Sequence, residues 1–276
     1  MKVAILGCGY VGKTVASYWS RERNLEVMAT TTTPEKVTSI EAIPAEAMVL
    51  KGNDREGLKS FIRDREVLLV CLGSRKSSYA ETYLETAQTL ISVLKYNSSV
   101  RQVIYTGSYG LYGDREGEWV DETSPIDPVT SKEEILAQTE QVLLSVSTDD
   151  RRVCILRLGG IYGPDRELVK IFGRVAGKTL PGQGLEVGNW IHLEDIVRAI
   201  EFARQQQLQG VYNLVDDGRL TRRDLIDRIL SKHKLPAVTW DESSETNRSI
   251  NVKVSNQKLK NMGYSLVHPY FYDRDI

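Results

Sequence analysis

The chain reads as an α/β protein built on a doubly wound parallel sheet, with a smaller C-terminal cap region. Three observations predict this. Short apolar runs alternate with helical stretches from the first residue onward. Those runs lack polar alternation, as strands do when helices cover both faces of their sheet. A glycine-rich turn, Gly7-Cys8-Gly9-Tyr10-Val11-Gly12, joins the first run to the first helix.

The elements follow in order. Lys2–Leu6 is an apolar run that ends in glycines. Gly12–Arg23 predicts a helix with Val15, Ala16 and Trp19 at inward spacing. Leu25–Thr30 is the next strand, and Thr33-Pro34 then predicts a helix start, Thr33 as cap and Pro34 in the first position. Ala47–Leu50, Val67–Leu72, Val103–Thr106 and Val153–Leu158 continue the strand series. The helical stretches Tyr79–Lys95 and Ser131–Ser145 lie between the later ones. Beyond about residue 160 the alternation weakens, because Pro164, Pro181, Gly182, Gly184 and Gly188 break the chain into loops. Two more helices, His192–Gln206 and Thr221–Lys234, flank a strand at Val211–Val215.

Composition narrows the function classes. Lysine and arginine total 36 against 37 acids, and the net charge of −1 leaves no basic face for nucleic acid or an anionic membrane. The longest apolar run, Val67 to Leu72, is far too short to span a bilayer. The N-terminus lacks the long apolar stretch of a signal peptide. The expected location is therefore cytoplasmic or an organelle stroma. Cys8, Cys71 and Cys154 are too sparse for a disulfide framework, and His192, His233 and His268 are too far apart in sequence to read as a metal motif.

The glycine turn carries the clearest chemistry. It follows a strand and opens a helix, the context in which this spacing cradles a dinucleotide pyrophosphate. Gly7 makes the tight turn, Gly9 lets backbone approach the phosphates, and Gly12 lets helix and strand pack. The helix N-terminus, at Tyr10 and Val11, presents N–H groups to the anion. Residues 1–160 then form a dinucleotide-binding domain of Rossmann type. Residues 161–276 are mainly a substrate-cap region, with about 190–215 returning to the sheet. The end of the second strand holds Thr30 to Thr33 and no carboxylate. An NAD site usually places an acid there for the ribose 2′-hydroxyl. Thr31, Thr32 and Lys36 suit a 2′-phosphate instead, which favours NADP(H) over NAD(H). Asp54 either touches the adenine or caps a helix. Leu72 and Gly73, ending the fourth run, complete the cofactor-binding set. Cys8, at a helix N-terminus, is either a redox-responsive thiol or a small tolerated side chain.

Later segments resemble the extended and atypical short-chain dehydrogenase/reductase family, the NAD-dependent epimerase/dehydratase type. The resemblance rests on Tyr105-Thr106-Gly107-Ser108-Tyr109-Gly110-Leu111-Tyr112-Gly113, on Leu156-Arg157-Leu158-Gly159-Gly160-Ile161-Tyr162-Gly163-Pro164, and on Trp190-Ile191-His192-Leu193-Glu194-Asp195. It implies a serine at Ser108 that steadies a substrate oxygen, and pocket positions at Tyr109, Arg157, Tyr162 and His192. The family's catalytic Tyr-x-x-x-Lys pair is missing: its tyrosine position falls on Lys132 and its lysine on Leu136, and none of the 13 tyrosines has a lysine four residues later. The family lysine lowers the tyrosine pKa, and an unassisted tyrosine with a pKa of about 10 is poorly placed for acid–base work at neutral pH. Tyr109, Tyr112 and Lys132 are the candidate substitute acids. Asp195 reads as a helix N-cap. The resemblance implies an NAD(P)-binding oxidoreductase or epimerase-like protein acting on a small-molecule substrate, and a homodimer paired through the helices at 79–95 and 131–145. A non-catalytic NADP(H)-binding redox sensor or assembly factor is the alternative. A scaffold without dinucleotide is a third reading.

Overall fold

The computed structural model describes residues 1–74, 78–246 and 250–271. Its strands, in chain order, are β1 (Lys2–Leu6), β2 (Glu26–Thr31), β3 (Ala45–Val49), β4 (Val67–Val70), β5 (Gln102–Ser108), β6 (Trp119–Val120) and β7 (Arg152–Leu158). The remainder are β8 (Gly160–Tyr162), β9 (Thr179–Pro181), β10 (Trp190–His192), β11 (Gly210–Leu214), β12 (Thr239–Asp241) and β13 (Lys253–Val254). Helices are α1 (Tyr10–Arg21), α2 (Val37–Glu41), α3 (Arg55–Phe61), α4 (Thr86–Leu94) and α5 (Ser131–Leu144). They continue as α6 (Leu168–Phe172), α7 (Leu193–Gln205), α8 (Arg222–Lys232) and α9 (Gln257–Asn261).

The chain divides into two compact units. The first comprises residues 1–108, 129–157 and 197–212. It carries the seven-stranded sheet, ordered β11-β7-β5-β4-β1-β2-β3. β1 pairs in parallel with β2 on one side and β4 on the other, with Val3 opposite Val27 and Leu6 opposite Val70. The chain thus winds outward from β1 to β3, then restarts at β4 and winds the other way. A doubly wound sheet opens a ligand crevice where the winding reverses, beyond the carboxyl ends of the strands. Here that point is the β1–β4 junction, and the glycine turn leaves it. β4 is buried at every position, as both-face coverage requires. The core of this unit includes Leu58, Phe61, Leu68, Leu90, Val103 and Ile155. Trp19 of α1 is fully buried, and its indole N–H donates to Glu201 at 3.0 Å. α5 opens on a capping box: Thr130 accepts from the Glu133 amide while Glu133 accepts from the Thr130 amide.

The second unit comprises residues 109–128, 158–196 and 213–276. It holds three two-stranded parallel pairs, β8 with β10, β9 with β12 and β6 with β13. One small core gathers Tyr112, Val120, Val215, Val252 and Val254, and another Tyr162, Leu168, Leu225 and Ile229. Among the described residues no helix is long and apolar enough to cross a membrane.

Two local expectations are corrected. Thr33 makes no side-chain capping bond, and Pro34 opens only a three-residue 3₁₀ turn, Pro34–Lys36, ahead of the short α2. The 79–95 segment is not one regular helix: Ala80–Glu85 is a π-helical turn that precedes α4. The Thr86 hydroxyl donates to the Glu81 carbonyl there, at 3.2 Å.

Candidate functional site

Two glycines of the 7–12 turn have a steric reason. Gly7 has φ +100°, and a Cβ there would lie 2.3 Å from the Cys71 carbonyl oxygen. A Cβ on Gly12 would lie 2.2 Å from the Gly7 carbonyl oxygen, so α1 packs directly on the turn. Gly9 is different, because a Cβ there would meet nothing within 4 Å. It is the N-cap of α1, provides no capping side chain, and is followed by no acid in the first turn. The helix's positive end is therefore not neutralised by its own sequence, the arrangement that favours an anion.

β2 holds the turn in place. The Gly7 amide donates to the Thr30 hydroxyl at 2.9 Å, and the Cys8 amide to the Thr30 carbonyl at 2.7 Å. The Thr31 hydroxyl accepts from the Thr33 amide at 3.1 Å. Thr30 and Thr31 are buried, whereas Thr32 and Lys36 are exposed. Asp54 caps α3, accepting from the Gly57 amide at 2.9 Å. After β4, Leu72 is half-buried, and Gly73 has open space where a Cβ would point. Cys8 does not behave as a thiol activated by a helix end. Burial, joined by the nearby Cys71, pushes its pKa up to about 11.

Ser108 ends β5 and is half-buried. Just before it, a Cβ on Gly107 would lie 2.8 Å from Glu140 Oε1. Arg157 Nη2 binds Glu140 Oε2 at 2.7 Å, and both side chains are buried. Burial nonetheless pushes the Glu140 pKa up against the pull of Arg157. The Tyr105 hydroxyl is buried with no hydrogen-bond partner among the described residues. Burial, then Glu140, Tyr83, Cys71 and Tyr79, raise its pKa well above the ordinary phenol value. Lys132 is exposed on α5, its Nζ 5.3 Å from the centre of the Tyr79 ring. The sequence reading gave no site role to Glu140, Tyr79 or Tyr105. The available signal was a carboxylate, Glu140, between the inward-facing Ala137 and Leu143.

The second unit positions the other expected residues. Tyr112 is fully buried, and its hydroxyl donates to Asn213 Oδ1 at 2.9 Å. Tyr109 packs half-buried against the same small core. The Tyr162 ring meets the His192 ring edge-on at 5.1 Å and Phe271 at 5.0 Å. Asp195 is not a helix N-cap. Fully buried within α7, it accepts from the Val267 amide at 2.7 Å and the His268 amide at 2.9 Å. The Tyr264 hydroxyl reaches its carboxylate at 3.2 Å. That clamp brings His268 against His192, ring centres 3.7 Å apart, and beside Glu194. Gly7 to Gly12, Ser108, Lys132 and Arg157 thus lie in the first unit, and Tyr109, Tyr112, Tyr162 and His192 in the second.

Comparison with known proteins agrees with this architecture. Protein YeeZ of Escherichia coli K12 is 33% identical over 221 residues, 77% of each chain. A dTDP-glucose 4,6-dehydratase of Streptomyces griseus is 27% identical over 168 residues, 56% of this chain and 49% of the relative. A structure of the Thermus thermophilus UDP-glucose 4-epimerase with NAD superposes with a TM-score of 0.80 at 19% identity, covering 100% of this chain and 96% of that one. A conserved protein of unknown function from Silicibacter pomeroyi superposes at 0.81 with 23% identity, covering 98% and 94%. The sequence profile of the NAD dependent epimerase/dehydratase family matches residues 3–214, the stretch that carries the glycine turn, Ser108 and the His192 motif. With the parallel sheet and the glycine turn in place, the chain belongs to the NAD-dependent epimerase/dehydratase family, within the extended short-chain dehydrogenase type.

Proposed function

We propose that this chain is an NAD(P)-dependent oxidoreductase or epimerase-like enzyme that works on a small molecule with an atypical proton donor. The observation that carries the reading is the open approach at Gly9, at the uncapped start of α1, where the sheet reverses its winding. That cradle fits a dinucleotide pyrophosphate. Gly7, Gly9, Tyr10, Val11 and Gly12 would hold it, with Asp54, Leu72 and Gly73 flanking. A bound nicotinamide would supply the hydride chemistry, and the chain's task would be orientation and proton handling. Ser108 would orient the substrate oxygen, as the resemblance implies. Lys132 occupies the family's tyrosine position and is the substitute donor we favour. The Tyr112 hydroxyl is committed to Asn213, and Arg157 to Glu140.

For the cofactor we favour NADP(H). The Thr30 and Thr31 hydroxyls bind backbone amides, which leaves Thr32 and Lys36 exposed at the end of β2 to meet a 2′-phosphate. Structural neighbours are described with NAD and with UDP-sugars, so nucleotide sugars head the substrate panel. The net charge of −1 supports a protein that acts away from nucleic acid and anionic membrane, and a cytoplasmic or organelle-stroma location is part of the proposal. A homodimer through 79–95 and 131–145 is part of the proposal by family analogy.

Calorimetric titration with NADPH and NADH tests the cofactor. NADPH should bind at least tenfold tighter, and Lys36→Glu should erase the difference; equal affinities would remove the preference. NADPH oxidation or NADP⁺ reduction is then followed with nucleotide sugars and simple carbonyls. The absence of any Tyr-x-x-x-Lys pair favours a second reading, a cofactor-binding redox sensor or assembly factor. It predicts tight binding, no turnover, and proteolysis patterns that differ between NADP⁺ and NADPH.

A further inference from the structure

We propose that His192, Glu194 and His268 form a binding site for a zinc-class divalent transition metal ion. The three residues are separated by up to 76 positions in sequence, and the fold of the second unit brings them together. His192 ends β10, Glu194 sits in the first turn of α7, and His268 belongs to the C-terminal segment. One potential donor atom from each residue lies within 4.8 Å of the other two. His192 is 8% exposed and His268 4% exposed, so both imidazoles are interior groups.

The placement is built. Asp195 fixes the segment that carries His268 through the Val267 and His268 amides and the Tyr264 hydroxyl. Tyr162 fixes the His192 ring edge-on. These contacts hold the backbone that carries His268 and pack the His192 ring, which limits how far the two imidazoles can move.

The donor chemistry is consistent. His268 Nε2 lies 3.1 Å from Glu194 Oε2. Bonds of about 2.0–2.2 Å around a tetrahedral zinc ion place neighbouring donors about 3.3 Å apart. The ion would replace the proton shared between that nitrogen and that carboxylate. His192 Nδ1 accepts from the Glu194 backbone amide at 3.2 Å, the upper end of the ordinary range, so its lone pair is engaged by the backbone. Coordination would supplant that bond. The Glu194 side chain is 41% exposed, which leaves it room to turn and close the set and leaves a fourth position for water. Two imidazoles and one carboxylate suit zinc, cobalt or nickel, whereas calcium and magnesium prefer oxygen alone. The bound ion would tie the C-terminal segment to the start of α7.

The full chain, stripped of metal by chelator, is titrated with Zn²⁺ by calorimetry and with Co²⁺ by visible absorption. One ion per chain is expected, with the d–d bands of a low-coordinate Co²⁺ site. His268→Gln should abolish binding. Glu194→Gln, at a half-exposed position that does not threaten folding, should weaken it at least tenfold. His233→Ala, removing an exposed histidine elsewhere, should change nothing. The thermal midpoint should rise with Zn²⁺ concentration in the wild type and not in Glu194→Gln. No saturable binding by the folded wild type, or equal binding by wild type and both ligand variants, overturns the site.

Discussion

The Arg157 guanidinium grips the Glu140 carboxylate where neither side chain is more than 7% exposed, with Nε at 3.1 Å and Nη2 at 2.7 Å from the same oxygen. Glu140 lies against Gly107, next to Ser108 at the end of β5. Removing one partner strands the other charge in the interior, at a cost of about 3–5 kcal/mol. Arg157→Met should lower the unfolding free energy by that amount in urea titration. Glu140→Met added to it should restore most of the loss, because two apolar groups leave no buried charge. A double variant as unstable as the single one would show that the pair is needed for more than charge balance.

Gly9 and Gly12 should separate binding from folding. Gly9→Trp projects into open space, and substitutions at open positions change stability by about 0.5 kcal/mol or less. It should keep the wild-type thermal midpoint and reduce dinucleotide affinity more than about 100-fold, roughly 2.7 kcal/mol or more. Gly12→Val drives its side chain into the Gly7 carbonyl and should lose several kcal/mol of stability, an overpacking effect of about 1–3 kcal/mol or more. Paired calorimetry and thermal melts check both.

Asp216 gives stability a pH dependence. It is fully buried; Oδ1 accepts from the Gly218 amide at 3.0 Å, and Oδ2 has no hydrogen-bond partner among the described residues. Burial raises its pKa well above the ordinary carboxylate value, against the pull of Arg219. The folded state therefore holds this proton more tightly than the unfolded chain. The contribution is complete below the unfolded pKa and is lost as pH rises through the folded one. Asp216→Asn keeps the acceptor for Gly218 and removes the buried charge. Its thermal midpoint should exceed that of the wild type at pH 8, and the difference should shrink toward pH 4.

Cys8 should resist thiol reagents in the folded protein. With a pKa of about 11, only about one thiol in a thousand is ionised at pH 8, and the side chain is buried. Iodoacetamide at pH 8 should leave Cys8 unmodified over hours, as peptide mass mapping would show, and label it readily in urea. Rapid native labelling would restore the reactive-thiol reading.

Much of the fold was legible because its signals are local. Unbroken apolar runs, helical spacing and glycine punctuation placed nearly every strand and helix of the sheet within a few residues. The Gly7–Gly12 turn announced itself by its glycine spacing between a strand and a helix, and the structure shows that Gly7 and Gly12 exclude a side chain there. The capping box at Thr130 and Glu133 is a threonine followed three residues later by a glutamate, and it was not among the expectations read from the sequence. Thr33-Pro34 misled because proline fixes one backbone angle and says nothing of how far the helix runs.

The sequence by itself determined the parallel sheet and the glycine turn, since both follow from patterns a few residues long, and it carried the family resemblance in motifs spread in order along the chain. Only the tertiary structure decided which polar groups are already committed. Thr30 bonds to Gly7, Tyr112 to Asn213 and Glu140 to Arg157 across intervals that no local pattern encodes. Asp195, which reads as a helix cap, became the anchor of a distant C-terminal segment, and with it His268 came to rest on His192. The physical reason is that burial and pairing are properties of neighbours in space. A charge or an imidazole carries the same local sequence signature whether it faces water or a partner.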